Sequence, residues 1–211
     1  MSEYTLGFLF GVNYRTEVEE VLLIKKTHPE FQANKFNGIG GKIEDEYYNL
    51  KEMSDIMNGR KREPFKYQKE ELARKFKEET NIDLNFGWNL FSVLHKNPLG
   101  YSELRNKFSI YCFYAIYYTS LYHEHIYNPM VKSPIVRAFE EETEKYLKPE
   151  DKEFCYIVPI KRLDEITFVD YTKPLLHMAI EKANNLLKLG YDNSSKQEMD
   201  NSYLNIEIVS R

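Results

Sequence analysis

Apolar and polar positions alternate with the two-residue period of a strand in five stretches, Tyr4–Phe10, Val21–Lys26, Trp88–His95, Lys107–Tyr118 and Phe154–Ile160. β-Branched and aromatic side chains fill them. Helical spacing occurs twice. Tyr67–Thr80 sets Leu72, Ala73 and Phe76 on one side of a Lys- and Glu-rich segment, and Thr172–Leu189 repeats Leu175, Leu176, Ala179, Ala183, Leu186 and Leu187 at three- and four-residue steps. Pro174 stands where a proline of the first helical turn belongs. Strands mixed with two helices, without strict alternation, predict an α/β sandwich around a mixed sheet. From Gly190 onward Asn, Ser, Asp and Gln dominate, so residues 1–189 read as one domain and 190–211 as a polar connector and tail.

Composition narrows the classes. A chain of 211 residues with 42% hydrophobic positions is long enough to bury a core without disulfides or a structural metal. Cys112 and Cys155, each inside an aromatic strand run, read as buried reduced thiols. The net charge of −4 lacks the basic excess of a chain that binds nucleic acid by counterion release, which argues against such a partner. No stretch reaches the roughly 18 apolar residues of a membrane span. MSEYTLGFLFG carries no basic stretch ahead of its apolar residues, so the expected location is cytoplasmic. Oligomeric state is not legible.

Candidate chemistry lies in KFNGIGGKIE, Lys35–Glu44, and in ELARKFKEETNI, Glu71–Ile82. The glycine pairs suit a loop whose backbone approaches a ligand closely, and a plain hairpin turn explains them as well. On a helical wheel with Glu71 at 0°, Glu78 falls at about −20°, Lys75 at about 40° and Glu79 at about 80°, while Leu72, Ala73, Phe76 and Thr80 lie between about 100° and 200°. Three carboxylates therefore share one edge beside the buried face, and they call for a cation: Arg74 and Lys75 locally, or Mg²⁺ or Mn²⁺, which favour such oxygens. A solvated charged face is the plainer alternative.

Together the glycine loop and the R-x-x-x-E-E-T helix resemble the Nudix box, G-x5-E-x7-R-E-U-x-E-E-x-G-U. Gly41 opens it, Arg74 is its arginine, Phe76 its first aliphatic position, Glu78 and Glu79 its acidic pair and Ile82 its last position. YTLGFLF, VLLIKK, KFNGIGGKI and TFVDYTKPLLHMAI are similar to the first two strands, substrate loop and C-terminal helix of the branch that clears oxidised nucleotides. The resemblance implies a Nudix-type α/β/α sandwich with a mixed sheet. It implies a Mg²⁺- or Mn²⁺-dependent pyrophosphohydrolase that cleaves a nucleoside triphosphate, a purine deoxynucleotide or its oxidised form, to monophosphate and pyrophosphate. Glu78, Glu79 and the Gly41 backbone would hold the metal, Arg74 would orient the carboxylates, Gly40 and Gly41 would complete the phosphate site, Asn37 would meet the base, and Lys25 would stand near the same pocket.

The chain departs from the box in three ways. Arg74 lies 33 positions after Gly41, about 19 more than the pattern has, so an insertion spans about 45–65 with a basic cluster at Arg60, Lys61 and Arg62. It reads as a solvent-facing loop with a short helix, or as a lid toward phosphates. The early box glutamate has two candidates, Glu46 and Glu63. Most consequentially, Lys75 replaces the glutamate after the arginine. An ammonium there repels a divalent ion; Glu71 is a candidate substitute and Lys75 itself a candidate phosphate contact. A late acid is expected among Glu140, Glu141, Glu142, Glu144, Glu150 and Glu153. Asp170 is the acid nearest the positions that read the base in the similar branch, where this chain has Thr172 and Lys173, so base specificity does not carry over. His123 and His125 read as loop residues. Two alternatives stay open: a nucleotide-binding sensor that does not cleave, and a Nudix hydrolase of ADP-ribose, dinucleotides or capped RNA.

Overall fold

The structure, a computed structural model, describes residues 2–12, 17–44, 65–83, 86–97, 108–118, 135–138, 154–189 and 204–209. The insertion at 45–64, with Glu46, Arg60, Lys61, Arg62 and Glu63, lies outside them. So do His123, His125 and the acids from Glu140 to Glu153.

The elements in chain order are β1 (Ser2–Val12), β2 (Glu20–Lys25), β3 (Phe36–Asn37), α1 (Lys66–Thr80), β4 (Asn89–Asn97), β5 (Phe108–Tyr118), β6 (Ile135–Arg137), β7 (Phe154–Pro159), α2 (Thr172–Lys188) and β8 (Leu204–Val209). Every strand and helix expected from the periodicity is present, with ends displaced by one or two residues, the usual uncertainty at frayed ends. The sheet runs β6-β7-β2-β1-β5-β4-β8, with β3 on β2. It is mixed: β1 pairs β5 in parallel, as do β4 with β8 and β6 with β7, and the other pairings are antiparallel.

Alternation along β1 divides the core. Leu6, Phe8, Phe10 and Val12 face α2 and join its buried Leu175, Leu176, Ala179 and Ala183. Leu9 points the other way, toward Leu72 and Phe76 of α1. Gly7 keeps that second face low: a Cβ there would lie 2.9 Å from the Leu72 methyls, so its lack of a side chain lets α1 sit close to the sheet. The result is the expected sandwich, a mixed sheet between two helices. α1 ends where Asn81 turns left-handed at φ 58° and returns its N–H to the Lys77 carbonyl.

The stretch read as a polar tail contains β8, which extends the sheet beyond β4 in parallel register from Ser92↔Leu204 to Asn97↔Val209. NIEIV alternates and is β-branched, a strand signal that the polar run before it masks. No described helix is long and apolar enough to cross a membrane.

Candidate functional site

The glycine loop is a backbone structure built onto β1. Gly7 and Ile39 exchange N–H···O bonds of 2.7 and 2.9 Å, the Thr5 N–H donates to the Gly41 carbonyl at 2.9 Å, and the Ile43 N–H to Glu3. Gly40 holds φ +137°, and a Cβ there would come within 2.3 Å of the Thr5 carbonyl oxygen, so glycine is obligatory. Gly41 differs: a Cβ on it would meet only the Lys75 stem, at 3.7 Å from Cε.

Beside this loop is a cleft of about 640 Å³. Asn37, Gly40, Gly41 and Asp170 line it together with Thr5, Lys26, Lys35, Lys42, Tyr171 and Thr172. Lys25, expected here, does not; it pairs with Phe36 and Phe154 within the sheet, and its neighbour Lys26, past the strand end, lines the cleft instead. Three lysines against one aspartate make the cleft lining cationic in a chain whose net charge is −4.

Asn37 is held in one orientation. Its Oδ1 accepts the Gly38 N–H at 2.9 Å and the Thr172 hydroxyl at 2.8 Å. A backbone N–H can only donate, so the oxygen must lie on that side, and the amide NH₂ is the part with capacity for a ligand. Thr5 is 3% exposed and its Oγ1 has no hydrogen-bond partner, so it too is available at the cleft wall. Sequence reasoning did not name Thr5, Lys26, Lys35 or Lys42; of these Lys35 and Lys42 carried a signal, since both lie within the glycine-loop stretch Lys35–Glu44.

The acidic edge of α1 abuts the same loop. Glu71 is 2% exposed, and its two oxygens accept from Arg74 Nε at 2.9 Å and Nη2 at 2.6 Å. Arg74 also binds Glu78 and reaches Glu44, at the end of the glycine loop, at 3.2 Å. The Glu71 hydrogen bond, chiefly, raises the Arg74 pKa further above its ordinary value, with smaller contributions from the charges of Glu71, Glu78 and Glu44. Lys75 Nζ lies 3.3 Å from Glu78 Oε2. Glu71 is thus part of a buried clamp and unsuited to replace a metal ligand. Glu46 and Glu63, the candidates for the early box glutamate, lie outside the described residues.

A divalent ion favours hard carboxylate oxygens, which Glu78, half exposed, and the adjoining Glu79 carry. The Glu78 oxygens already hold Arg74 and Lys75, so an ion fits here only in competition with two fixed cations. The Gly41 carbonyl already accepts the Thr5 N–H. Among the described residues no group of three or more His, Cys, Asp or Glu side chains is placed to hold a metal.

No protein-family model matches the chain, and no curated protein matches it. Solved structures do. NrtR of Shewanella oneidensis, complexed with a 27mer DNA, aligns at 13% identity and TM-score 0.52, covering 87% of this chain and 62% of that one. The NUDIX domain of the same protein, crystallised with ADP ribose, aligns at 14% identity and TM-score 0.49, covering 85% and 86%. A mutT/nudix family protein from Listeria innocua aligns at 12% identity and TM-score 0.47, covering 89% and 96%. The chain spans 62% of the length of DNA-bound NrtR. The shared property is the fold, an α/β sandwich of the Nudix type.

Proposed function

From a Nudix fold whose glycine loop joins a cationic cleft to an acidic helix edge, we propose that this protein binds a nucleoside triphosphate, with the base in the cleft and the phosphates over Gly41. On this reading it is a Nudix-type pyrophosphohydrolase that releases monophosphate and pyrophosphate. The observation that carries it is the cleft lining: Lys26, Lys35 and Lys42 against Asp170 alone, around the fixed amide of Asn37. Lysines supply point charges for phosphate, and an oriented amide selects the edge of a planar ring.

Glu78 and Glu79 are the carboxylates that would hold Mg²⁺ or Mn²⁺, which when bound neutralises charge developing on the phosphates. Arg74 keeps Glu78 on the outer edge of α1 by anchoring itself to buried Glu71. Thr172 holds the Asn37 amide, so its N–H groups face a base without rearrangement.

A second reading, a sensor that binds without cleaving, is favoured by Lys75, which stands where the box has a carboxylate and occupies an oxygen of Glu78. ADP-ribose is a further ligand to test, since the NUDIX domain of NrtR was crystallised with it. Turnover of nucleoside triphosphates, oxidised and ordinary, and of ADP-ribose, dinucleotides and capped RNA, with Mg²⁺ or Mn²⁺ and products separated by chromatography, decides between the readings. Monophosphate plus pyrophosphate supports the hydrolase. Binding with intact nucleotide across the panel supports the sensor, and neither binding nor turnover overturns both.

A further inference from the structure

The lysine that replaces the box carboxylate is placed to do more than weaken a metal site. Lys75 projects from α1 toward the glycine loop, its Cε 3.7 Å from where a Cβ on Gly41 would sit, and Gly41 lines the cleft. Its ammonium touches Glu78 at 3.3 Å. An ammonium has three donors, and that contact uses one. The stem lies between helix and loop, with the side chain 22% exposed, which places the charge beside Gly41 at the edge of the cleft. The cation at this place is therefore covalently part of the chain.

We propose that Lys75 is a phosphate-binding residue, so that this protein binds the phosphates of its nucleotide without a divalent ion, which would be needed for cleavage alone. The proposal rests on the reading of the cleft as a nucleoside triphosphate site. A divalent ion and Lys75 compete for Glu78: an ion that takes Glu78 releases the ammonium, and the ammonium, while it holds Glu78, raises the ion concentration needed. Lys42, next to Gly41 at the same rim, adds a second positive charge on the path of the phosphates. No bond is made or broken in this step; it is recognition only.

Calorimetric titration of dGTP and dATP, and of deoxyguanosine and deoxyadenosine, into the full chain in EDTA tests it. In EDTA at least one triphosphate should bind about tenfold or more tightly than its nucleoside, the range expected for hydrogen bonds to a charged group. Lys75→Gln should remove most of that advantage and leave nucleoside affinity unchanged, and Lys75→Arg should retain it. Lys75→Glu should make the advantage depend on Mg²⁺. The proposal fails if the advantage appears only with Mg²⁺ in the unaltered chain, or if Lys75→Gln keeps it in EDTA; in either case the cleft stands as the nucleotide site. Absence of binding by every nucleoside and triphosphate, with or without Mg²⁺, overturns the reading of the cleft as well. Unchanged thermal unfolding of the Lys75 variants separates loss of a contact from loss of the fold.

Discussion

Arg74 and Glu71, one turn apart on α1, are joined by two hydrogen bonds of 2.6 and 2.9 Å, with the carboxylate buried and the guanidinium partly exposed. This pair anchors the acidic edge, because the same guanidinium holds Glu78 and Glu44. Glu71→Gln keeps the shape but loses the charge, and it should lower stability by about 1–3 kcal/mol, the worth of hydrogen bonds between charged groups. Chemical denaturation measures this. A variant as stable as the parent would show that the clamp contributes nothing.

The two loop glycines should behave differently. At Gly40 a methyl would meet the Thr5 carbonyl on a backbone held at a positive φ that an L side chain disfavours, so Gly40→Ala should cost about 1–3 kcal/mol or more and distort the cleft. At Gly41 a methyl makes only ordinary contact with the Lys75 stem, so Gly41→Ala should stay within about 0.5 kcal/mol of the parent. Parallel thermal melts would expose the contrast, and equal effects would contradict the loop geometry.

Thr172→Val removes the hydroxyl that holds the Asn37 oxygen while keeping the side chain's volume. Stability should fall by about 0.5–1.5 kcal/mol. Affinity for the nucleoside should weaken while the additional affinity contributed by the phosphates is unchanged. A variant that loses nucleoside and phosphate contributions alike would argue that Thr172 acts on the fold rather than on Asn37.

The Cys112 thiol is fully buried, and burial pushes its pKa up to about 12. The folded state therefore prefers the protonated thiol. Stability from this group is intact below pH 9, the ordinary value, and is lost as pH rises toward 12. Native protein at pH 8 should react slowly with an aromatic disulfide reagent, and both thiols should react in denaturant. Rapid native reaction at Cys112 would contradict its burial.

Much of the architecture was legible because periodicity reports directly on which faces are buried. The helical wheel placed Leu72, Phe76 and Thr80 toward the core, where they lie. It placed Glu71 on the same edge as Glu78, yet one is buried and the other half exposed: a wheel gives direction around the axis and not depth against the sheet. Lys25 was expected at the pocket only through its match to a strand lysine in the resemblance, and a matched position does not tell which of two adjacent lysines lines a cleft. Thr5 was unreadable as a site residue, since a small polar side chain in an apolar strand looks like core until its hydroxyl is seen without a partner. The pairing of Asn37 with Thr172 joins residues 135 positions apart, a contact only the closed sandwich creates.

The central claim is that nucleotide occupies the cleft beside the glycine loop. It is tested most directly by following backbone amide resonances of the full chain during titration with a nucleoside triphosphate that it binds or turns over. Saturable shifts should concentrate at Thr5, Gly38, Gly40, Gly41 and Val169–Thr172, with Lys75 and Glu78 responding to the triphosphate and not to the nucleoside. Shifts confined to other surfaces, or none at saturating nucleotide, would contradict the account.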